Sequence, residues 1–450
     1  MAVSQNYDII DTEKGLLDRS IFTDKQIYQE ELEKIFGRAW LFIGHESIIP
    51  NPNDFFLTYM GEDPVILTRD AKGDLHAFLN MCRHRGNRIV RADDGNAKNF
   101  MCAYHGWTYS NEGKLVSVPG LQEAYYGELD VDKLGLVPVA QLDTYAGMIF
   151  ATWADDSPGL EAYLGNIRYY MDVAFNRRDG GTIFLGPDKW IIPNNWKTSA
   201  DNFIGDMYHA PLSHRSAITV MAKRRDQPTP PLSYEMKGGN QVSPGNGHGC
   251  NALIFETNDQ QLEMKAAFSH PDTLEYERTI SAEMDRRLGL FRSRRMLPSH
   301  HTVFPNFSWL SNNVARVWHP HGPYQTLVWA FAFIDESAPQ KVRQAYRQDS
   351  MHTFGPSGLL EQDDMDNWRG TTQAGKSSVA RKSWQVLSMG LGHERDNPEL
   401  PGRSVAAFCS EINQRSMYVR WQEMMNAQSW ADISVDPITA KFEGTATMKG

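Results

Sequence analysis

Two short runs constrain this chain more than anything else in it. Cys82-Arg83-His84 and Cys102-Ala103-Tyr104-His105 spell C-x-H, a spacer of 17 residues, then C-x-x-H. Zinc modules built from two Cys and two His usually pair like with like, as C-x-x-C and H-x-x-x-H. Here each run mixes one thiolate with one imidazole. That pattern suits a two-iron, two-sulfide cluster in which Cys82 and Cys102 hold one iron and His84 and His105 the other, an arrangement that raises the reduction potential. A structural zinc site is the rival reading, since zinc accepts the same four donors. The chain has four cysteines. The remaining two, Cys250 and Cys409, are expected as plain buried or half-buried thiols, because a lone disulfide would be unusual in a reducing cytoplasm.

At 450 residues the chain has room for two domains, or one with a large insertion. A formal net charge of -10 argues against nucleic acid and anionic membrane as partners. No apolar run is long enough to span a bilayer. Met1 to Glu13 lacks the basic-then-apolar pattern of a signal peptide, so the expected compartment is the cytoplasm.

Thr23 to Trp40 reads as a helix capped by Thr23 or Asp24, with Ile27, Leu32, Ile35 and Phe36 on its apolar face. From about residue 38 to 157 the pattern predicts a small all-β domain. Phe55–Met60 and Pro64–Thr68 are strand-like, while Gly73-Asp74, Asn111-Glu112-Gly113 and Asp93-Asp94-Gly95-Asn96 read as hairpin turns. Asp155 to Gly159 looks like the exit linker. Farther on, Phe184–Pro193 and Gln325–Asp335 read as strands and Ser410–Trp430 as a long amphipathic helix. Residues 223 to 250, rich in Pro, Gly and Asn, read as a surface loop over a pocket.

A second cluster of polar residues follows in Asn202-Phe203-Ile204-Gly205-Asp206-Met207-Tyr208-His209-Ala210-Pro211-Leu212-Ser213-His214. On a helix, Asn202, Asp206 and His209 share one face. Pro211 is then expected to disrupt that helix and let His214 swing back toward His209. Two imidazoles and a carboxylate form the facial triad of non-haem Fe(II) oxygenases, which leaves positions open for O2. The carboxylate is expected from Glu361, Asp363, Asp364 or Asp366, and composition does not choose among them. Acids at a helix N-terminus are also favoured by the dipole alone.

With these residues in view, the chain resembles the large (α) subunits of bacterial Rieske non-haem iron aromatic ring-hydroxylating dioxygenases, in the naphthalene, biphenyl/toluene and phenylpropionate branch. The likeness runs through Phe36-Gly37-Arg38-Ala39-Trp40, both cluster motifs, the Asn202 to His214 run, Arg316-Val317-Trp318-His319-Pro320, and Phe354-Gly355-Pro356 to Asp364. It implies an α+β fold: a Rieske-type β-sandwich domain (38–157) inserted in a catalytic domain (1–37 and 158–450). The catalytic domain would have a large antiparallel β-sheet covered by helices, of the helix-grip, START-like kind.

The resemblance also implies roles. Cys82, His84, Cys102 and His105 would hold the [2Fe-2S] cluster, and His209, His214 and Asp364 the mononuclear Fe(II). Asp206 would link His209 to a cluster histidine of a neighbouring subunit, with Asn202 beside the iron. Asp201 stands where the naphthalene members have Glu. The implied reaction adds both atoms of O2 to an arene, giving a cis-dihydrodiol. Its electrons come from NAD(P)H through a reductase and ferredoxin. The implied assembly is an α3β3 hexamer with small β subunits, in which electrons cross between α subunits.

By family position Phe203, Met207, His300, Leu310, Asn313, Phe354 and Leu360 would line the substrate pocket, with Asn202. The set has no Arg or Lys to hold a carboxylate, which favours a neutral hydrocarbon of two or more rings over an aromatic acid such as phenylpropionate or cinnamate. A Rieske monooxygenase would share both metal sites. The first cluster loop also carries Arg83, Arg85, Arg88 and Arg91, a basic group suited to steering an acidic ferredoxin.

Overall fold

Short strands of β-branched and aromatic residues, punctuated by Gly and Asp, build the stretch Phe36–Leu160 into one compact unit. The computed structural model describes residues 6–224, 226–266 and 269–441. Within this unit Leu75–Leu79, Asp63–Arg69, Asp54–Met60 and Asp94–Asn96 form a four-stranded antiparallel sheet. Two three-stranded sheets complete it. One is Leu115–Ser117, Thr108–Ser110 and Asn99–Met101; the other is Gln141–Tyr145, Met148–Thr152 and Leu41–His45. Phe55, Ile66, Phe78, Phe100, Trp107 and Tyr109 pack together, and Cys82 and Cys102 lie inside that cluster.

Gly73-Asp74 and Asn111–Gly113 do turn hairpins. Asp93-Asp94-Gly95-Asn96 does not: Asp94–Asn96 is a strand paired with Asp54–Phe56. Its turn-like composition has a packing cause, because a Cβ on Gly95 would meet the Phe55 ring at 2.9 Å.

The second unit takes the residues up to Ile35 and from Glu161 onward. Among the described residues its centre is a nine-stranded sheet. The order is Thr182–Ile192, Thr326–Asp335, Val314–Pro320, Phe307–Leu310, Met296–Val303, His248–Ile254, Gly239–Gly245, Leu400–Val405 and Arg395–Asn397, with every neighbouring pair antiparallel. Helices Trp196–Phe203, Pro271–Arg294, Gln340–Phe354 and Ile412–Asn426 pack on it. Among the described residues no helix is long and apolar enough to cross a membrane.

Three further expectations need correction. The first helix is shorter than Thr23–Trp40: Asp24 caps Lys25–Glu31, and a π-helical turn follows over Leu32–Phe36. Leu32 is half-buried, whereas Glu31 follows Tyr28 by three residues and Ile27 by four, so it shares their buried face and is sealed in the core. There its carboxylate accepts from Lys197 Nζ at 2.5 Å, Trp421 Nε1 at 2.8 Å and Trp196 Nε1 at 2.9 Å. Removing one partner of such a pair would strand a buried charge, so Glu31 ties down the start of the Trp196–Phe203 helix.

The stretch 223 to 250 is only in part a loop. Gly239–Gly245 is a buried interior strand, and its polar side chains are satisfied inside the protein. Gln241 donates to the Phe408 carbonyl, and Asn413 donates to Gln241 Oε1. Finally, the C-terminal helix spans Ile412–Asn426 and is buried on polar and apolar sides alike, with Asn413, Gln414, Arg415 and Arg420 as enclosed as Met417 and Trp421. The thiols of Cys250 and Cys409 are free, the former buried and the latter half-buried.

Candidate metal centres

Both cluster loops close with the same turn. Gly86 N donates to the Cys82 carbonyl and Gly106 N to the Cys102 carbonyl, each at 2.9 Å. Gly106 has φ 78° and a Cβ there would meet Pro119 at 2.9 Å, so this corner requires glycine. Cys82 and Cys102 are buried, while His84 and His105 are half-buried. The two imidazoles approach with ring centroids 4.5 Å apart, and His84 stacks on Trp107. His84 Nδ1 is buried with no hydrogen-bond partner. An orphaned nitrogen is costly unless something else binds it, and a metal ion fits that need.

The sulfurs have donors aimed at them. Tyr109 OH accepts from Arg83 N at 3.0 Å, which leaves its proton free to point at Cys82 Sγ, 3.4 Å away. Asn87 Nδ2 reaches Cys102 Sγ at 3.6 Å. Burial alone would raise the Cys102 thiol, but the Tyr104 amide and the Asn87 side chain outweigh it and hold it below the usual value. Hydrogen bonds to ligating sulfur are one of the protein's levers on cluster potential. Neither Tyr109 nor Asn87 has a readable signal in sequence.

In the larger unit the Asn202 to His214 run is not one helix. Helix Trp196–Phe203 ends before Asp206, and the chain turns at Gly205 with φ 133°. A Cβ on Gly205 would lie 2.6 Å from Asn413 Nδ2 and 2.7 Å from Gln241 Oε1. Gly205, and not Pro211, therefore breaks the helix. Pro211 sits in the first turn of the short helix Ala210–Ser213, where proline is favoured.

The three donors meet all the same. His209 Nε2 and His214 Nε2 are 3.2 Å apart, and each stands 3.3 Å from Asp364 Oδ1. Ligands at right angles on bonds of about 2.1 Å would be about 3 Å apart, so these atoms can occupy one face of an octahedron. Among the described residues this is the one group of three or more His, Cys, Asp and Glu close enough to share an ion. Asp364 Oδ1 is buried without a hydrogen-bond donor. Burial opposes charge on His209, yet Asp206 and Asp364 push it up to about 10, so the local field favours a cation. The donor set fits a mononuclear iron.

Helix Glu361–Gly375 separates the four candidate acids. Asp364 points into the triad, and Asp363 Oδ2 lies 3.3 Å from His214 Nδ1. Asp366 is exposed. Glu361 faces Arg316, which also donates to the Phe354 carbonyl; burial first, then the nearby Asp364 charge, raises Glu361 to about 7 against the pull of Arg316. A cavity of about 310 Å³ opens onto Asn202, Asp206, His209 and Asp364.

Of the residues expected in the pocket, Phe203 is the hub. Its ring lies 6.2 Å from His300 and 6.0 Å from Phe354, with Trp318 and Trp368, neither anticipated, at 4.8 and 6.0 Å. Leu310 is the cross-strand partner of His300. Leu360 is buried at the start of the Asp364 helix. Met207 packs beside Leu253, Leu297 and Phe408. Asn313 is held in a turn with φ 64°, its amide donating to the Phe333 carbonyl. A larger cavity of about 1040 Å³, lined by Met236, Phe255 and Met264, includes none of the triad.

Residues 160–427 match the family described as the ring hydroxylating alpha subunit (catalytic domain), and residues 39–143 match the Rieske [2Fe-2S] domain. The chain is 40% identical over 439 residues to the biphenyl 2,3-dioxygenase subunit alpha of Rhodococcus jostii, covering 95% of this chain and 92% of the relative. It superposes on a single-substitution mutant of naphthalene 1,2-dioxygenase bound to phenanthrene with a TM-score of 0.88 at 31% identity, covering 95% of this chain and 96% of the other. For naphthalene 1,2-dioxygenase with indole in its active site the TM-score is 0.86, at the same identity and coverage.

Proposed function

This chain belongs to the α subunits of the ring-hydroxylating oxygenases, and from that premise we propose that it adds both atoms of O2 to a neutral bicyclic or polycyclic arene such as biphenyl or naphthalene, giving a cis-dihydrodiol. The family's Rieske cluster and mononuclear iron divide the work. The proposed holders are Cys82, His84, Cys102 and His105 for the cluster, in a domain of residues 38–157. His209, His214 and Asp364 would hold the iron, in the domain of residues 1–37 and 158–450. Bound at the triad, Fe(II) supplies activation of triplet O2, which does not add readily to a closed-shell ring.

The protein's own residues supply the rest. Asp206 keeps the His209 Nδ1 proton in place, which leaves Nε2 free to face the triad. Phe203, Phe354, Trp318 and Trp368 present ring edges that pack an arene and exclude water.

The observation that carries the substrate class is the state of Arg316. Arg316 lies on the strand Val314–Pro320, two residues from Trp318, and Glu361 and the Phe354 carbonyl already engage it. A carboxylate-bearing substrate would therefore find no free counter-charge there, and a hydrocarbon needs none.

The partners belong to the same proposal: a ferredoxin fed from NAD(P)H, a small β subunit and an α3β3 assembly in the cytoplasm. Support comes from the α-subunit relatives and from a half-exposed pair of cluster histidines through which electrons can pass. The test is turnover with ferredoxin, reductase, NADH and a panel of arenes under labelled O2, with products identified by mass spectrometry. A cis-dihydrodiol with two labelled oxygens is expected. A product with one labelled oxygen, or turnover of aromatic acids only, would overturn it.

A further inference from the structure

A chain of hydrogen bonds behind the aromatic wall fixes where one proton sits. Asn251 is fully buried, and its Nδ2 donates to the Asn240 carbonyl at 3.1 Å. Turning the amide over would set Oδ1 against that carbonyl, so Oδ1 must face the other way, toward Ser299 Oγ at 2.7 Å. An amide oxygen has no proton to give; the Ser299 hydroxyl therefore donates. The other acceptor in reach, Met207 Sδ, is 3.9 Å away and is a thioether, a far weaker competitor.

With its one proton directed at Asn251, Ser299 Oγ can only accept. His300 Nδ1 stands 3.2 Å from it. The neutral imidazole then carries its proton on Nδ1 and leaves a bare lone pair on Nε2. Enclosure by the surrounding protein disfavours charge on this ring and keeps it neutral, well below the usual imidazole range. Among the described residues Nε2 has no partner, and the ring is half-buried beside Phe203.

We infer that His300 Nε2 is a hydrogen-bond acceptor presented to the bound arene, so that the site favours rings carrying an N–H or O–H donor over isosteric rings that offer only an acceptor. Ser299 and Asn251 are positioning residues, acting through the imidazole. The inference rests on the proposal that an arene lies against Phe203 and His300.

Indole, benzofuran and indene test it, because they share one shape and differ in a single ring position: a donor, an acceptor and a methylene. Their equilibrium binding to the holoenzyme is measured in the wild type, Ser299→Ala and Ser299→Thr, with iron content and cluster absorption as checks on folding. One net hydrogen bond corresponds to about fivefold to tenfold in affinity. Indole is expected to bind tighter than benzofuran by about that factor, with indene between them. Ser299→Ala removes the acceptor for Nδ1–H, frees the other tautomer and should bring the indole-to-benzofuran ratio close to one. Ser299→Thr keeps a hydroxyl and should restore it.

Equal binding of indole and benzofuran by the wild type, or a ratio that survives Ser299→Ala, overturns the inference. If Ser299→Ala does not fold, the wild-type ratio decides alone. Biphenyl oxidation is followed in parallel. Its absence beside an intact indole preference counts against the proposed reaction and not against the acceptor.

Discussion

His209 Nδ1 and Asp206 Oδ2 stand 3.3 Å apart, and this contact aims the opposite nitrogen of the same ring at His214 and Asp364. Asn202 Nδ2 lies 3.1 Å from His209 Nδ1 and 3.3 Å from Asp206 Oδ2. Two donors cannot satisfy each other, so when Nε2 serves as a ligand and Nδ1 keeps its proton, both Asn202 and His209 donate to Asp206. The amides of Tyr208 and His209 add two more donors to Oδ1. Burial opposes the charge, but the His209 contact and these donors keep Asp206 below the usual carboxylate range.

Asp206→Asn tests what that charge does. The amide retains an oxygen for His209 and loses the negative charge. Both metals are expected to stay, and ferredoxin should still reduce the cluster. Product formed in a single turnover by the pre-reduced protein should fall by about tenfold to a hundredfold. A normal single-turnover yield would show that Asp206 plays no part in transfer between the centres.

The triad and its neighbours should separate by iron content. His209→Ala, His214→Ala and Asp364→Ala are expected to lose the mononuclear iron while the visible spectrum of the cluster persists. His84→Ala and Cys102→Ser should do the reverse. Asp363→Ala is the intermediate case: its carboxylate touches His214 Nδ1, so iron should bind but about tenfold to a hundredfold more weakly. Asp366→Ala should match the wild type. Iron lost from Asp363→Ala and kept by Asp364→Ala would exchange the two roles.

The short cluster motifs were readable because a few residues of spacing fix covalent reach, and Cys82, His84, Cys102 and His105 do sit on two matched turns. His209 and His214 were readable as a pair, but for the wrong reason. The break lies at Gly205, and its need for glycine comes from Asn413 and Gln241, remote in sequence. Asp363 and Asp364 are adjacent on one helical turn, so only the packing of that helix separates them, with Trp368 against Phe203. The strand Gly239–Gly245 has no apolar alternation because its polar groups find partners such as Phe408 and Asn413 far along the chain. Ser299 and Asn251 gave no motif at all. Their meaning lies in the direction of hydrogen bonds, which spacing does not encode.

Acid stability should depend on Glu277. Its carboxylate takes Arg177 Nη1 at 3.0 Å and Lys265 Nζ at 2.5 Å and is about 10% exposed. Burial would raise its pKa, but Lys265 and Arg177 outweigh burial and bring it from 4.5 to about 2. A depressed carboxylate stabilises the fold above its unfolded value, and that contribution is lost as pH falls from about 4.5 through about 2. The shift corresponds to about 3 kcal/mol. Glu277→Gln should therefore lower the urea midpoint at pH 7 and flatten its decline below pH 4.5. An unchanged midpoint at pH 7 would leave the pair without net effect.

Ferredoxin steering is the remaining question, and it turns on which arginines of the first cluster loop are free. All four are exposed. Arg83 is engaged, its Nη1 donating to the Gly135 carbonyl at 3.3 Å, so it serves the loop. Arg85, Arg88 and Arg91 show no such contact among the described residues and keep their charge for solvent, against a chain whose net charge is -10. A local basic group on an acidic protein speeds encounter with an acidic donor, and salt screens that effect over about 10 Å at 0.1 M. Arg88→Glu and Arg91→Glu should therefore slow cluster reduction by ferredoxin severalfold at low ionic strength and little at high. Reduction by dithionite should not change. Stopped-flow traces across a salt series check this. A defect indifferent to salt, or shared by both reductants, would place the donor's approach elsewhere and leave these arginines a structural role.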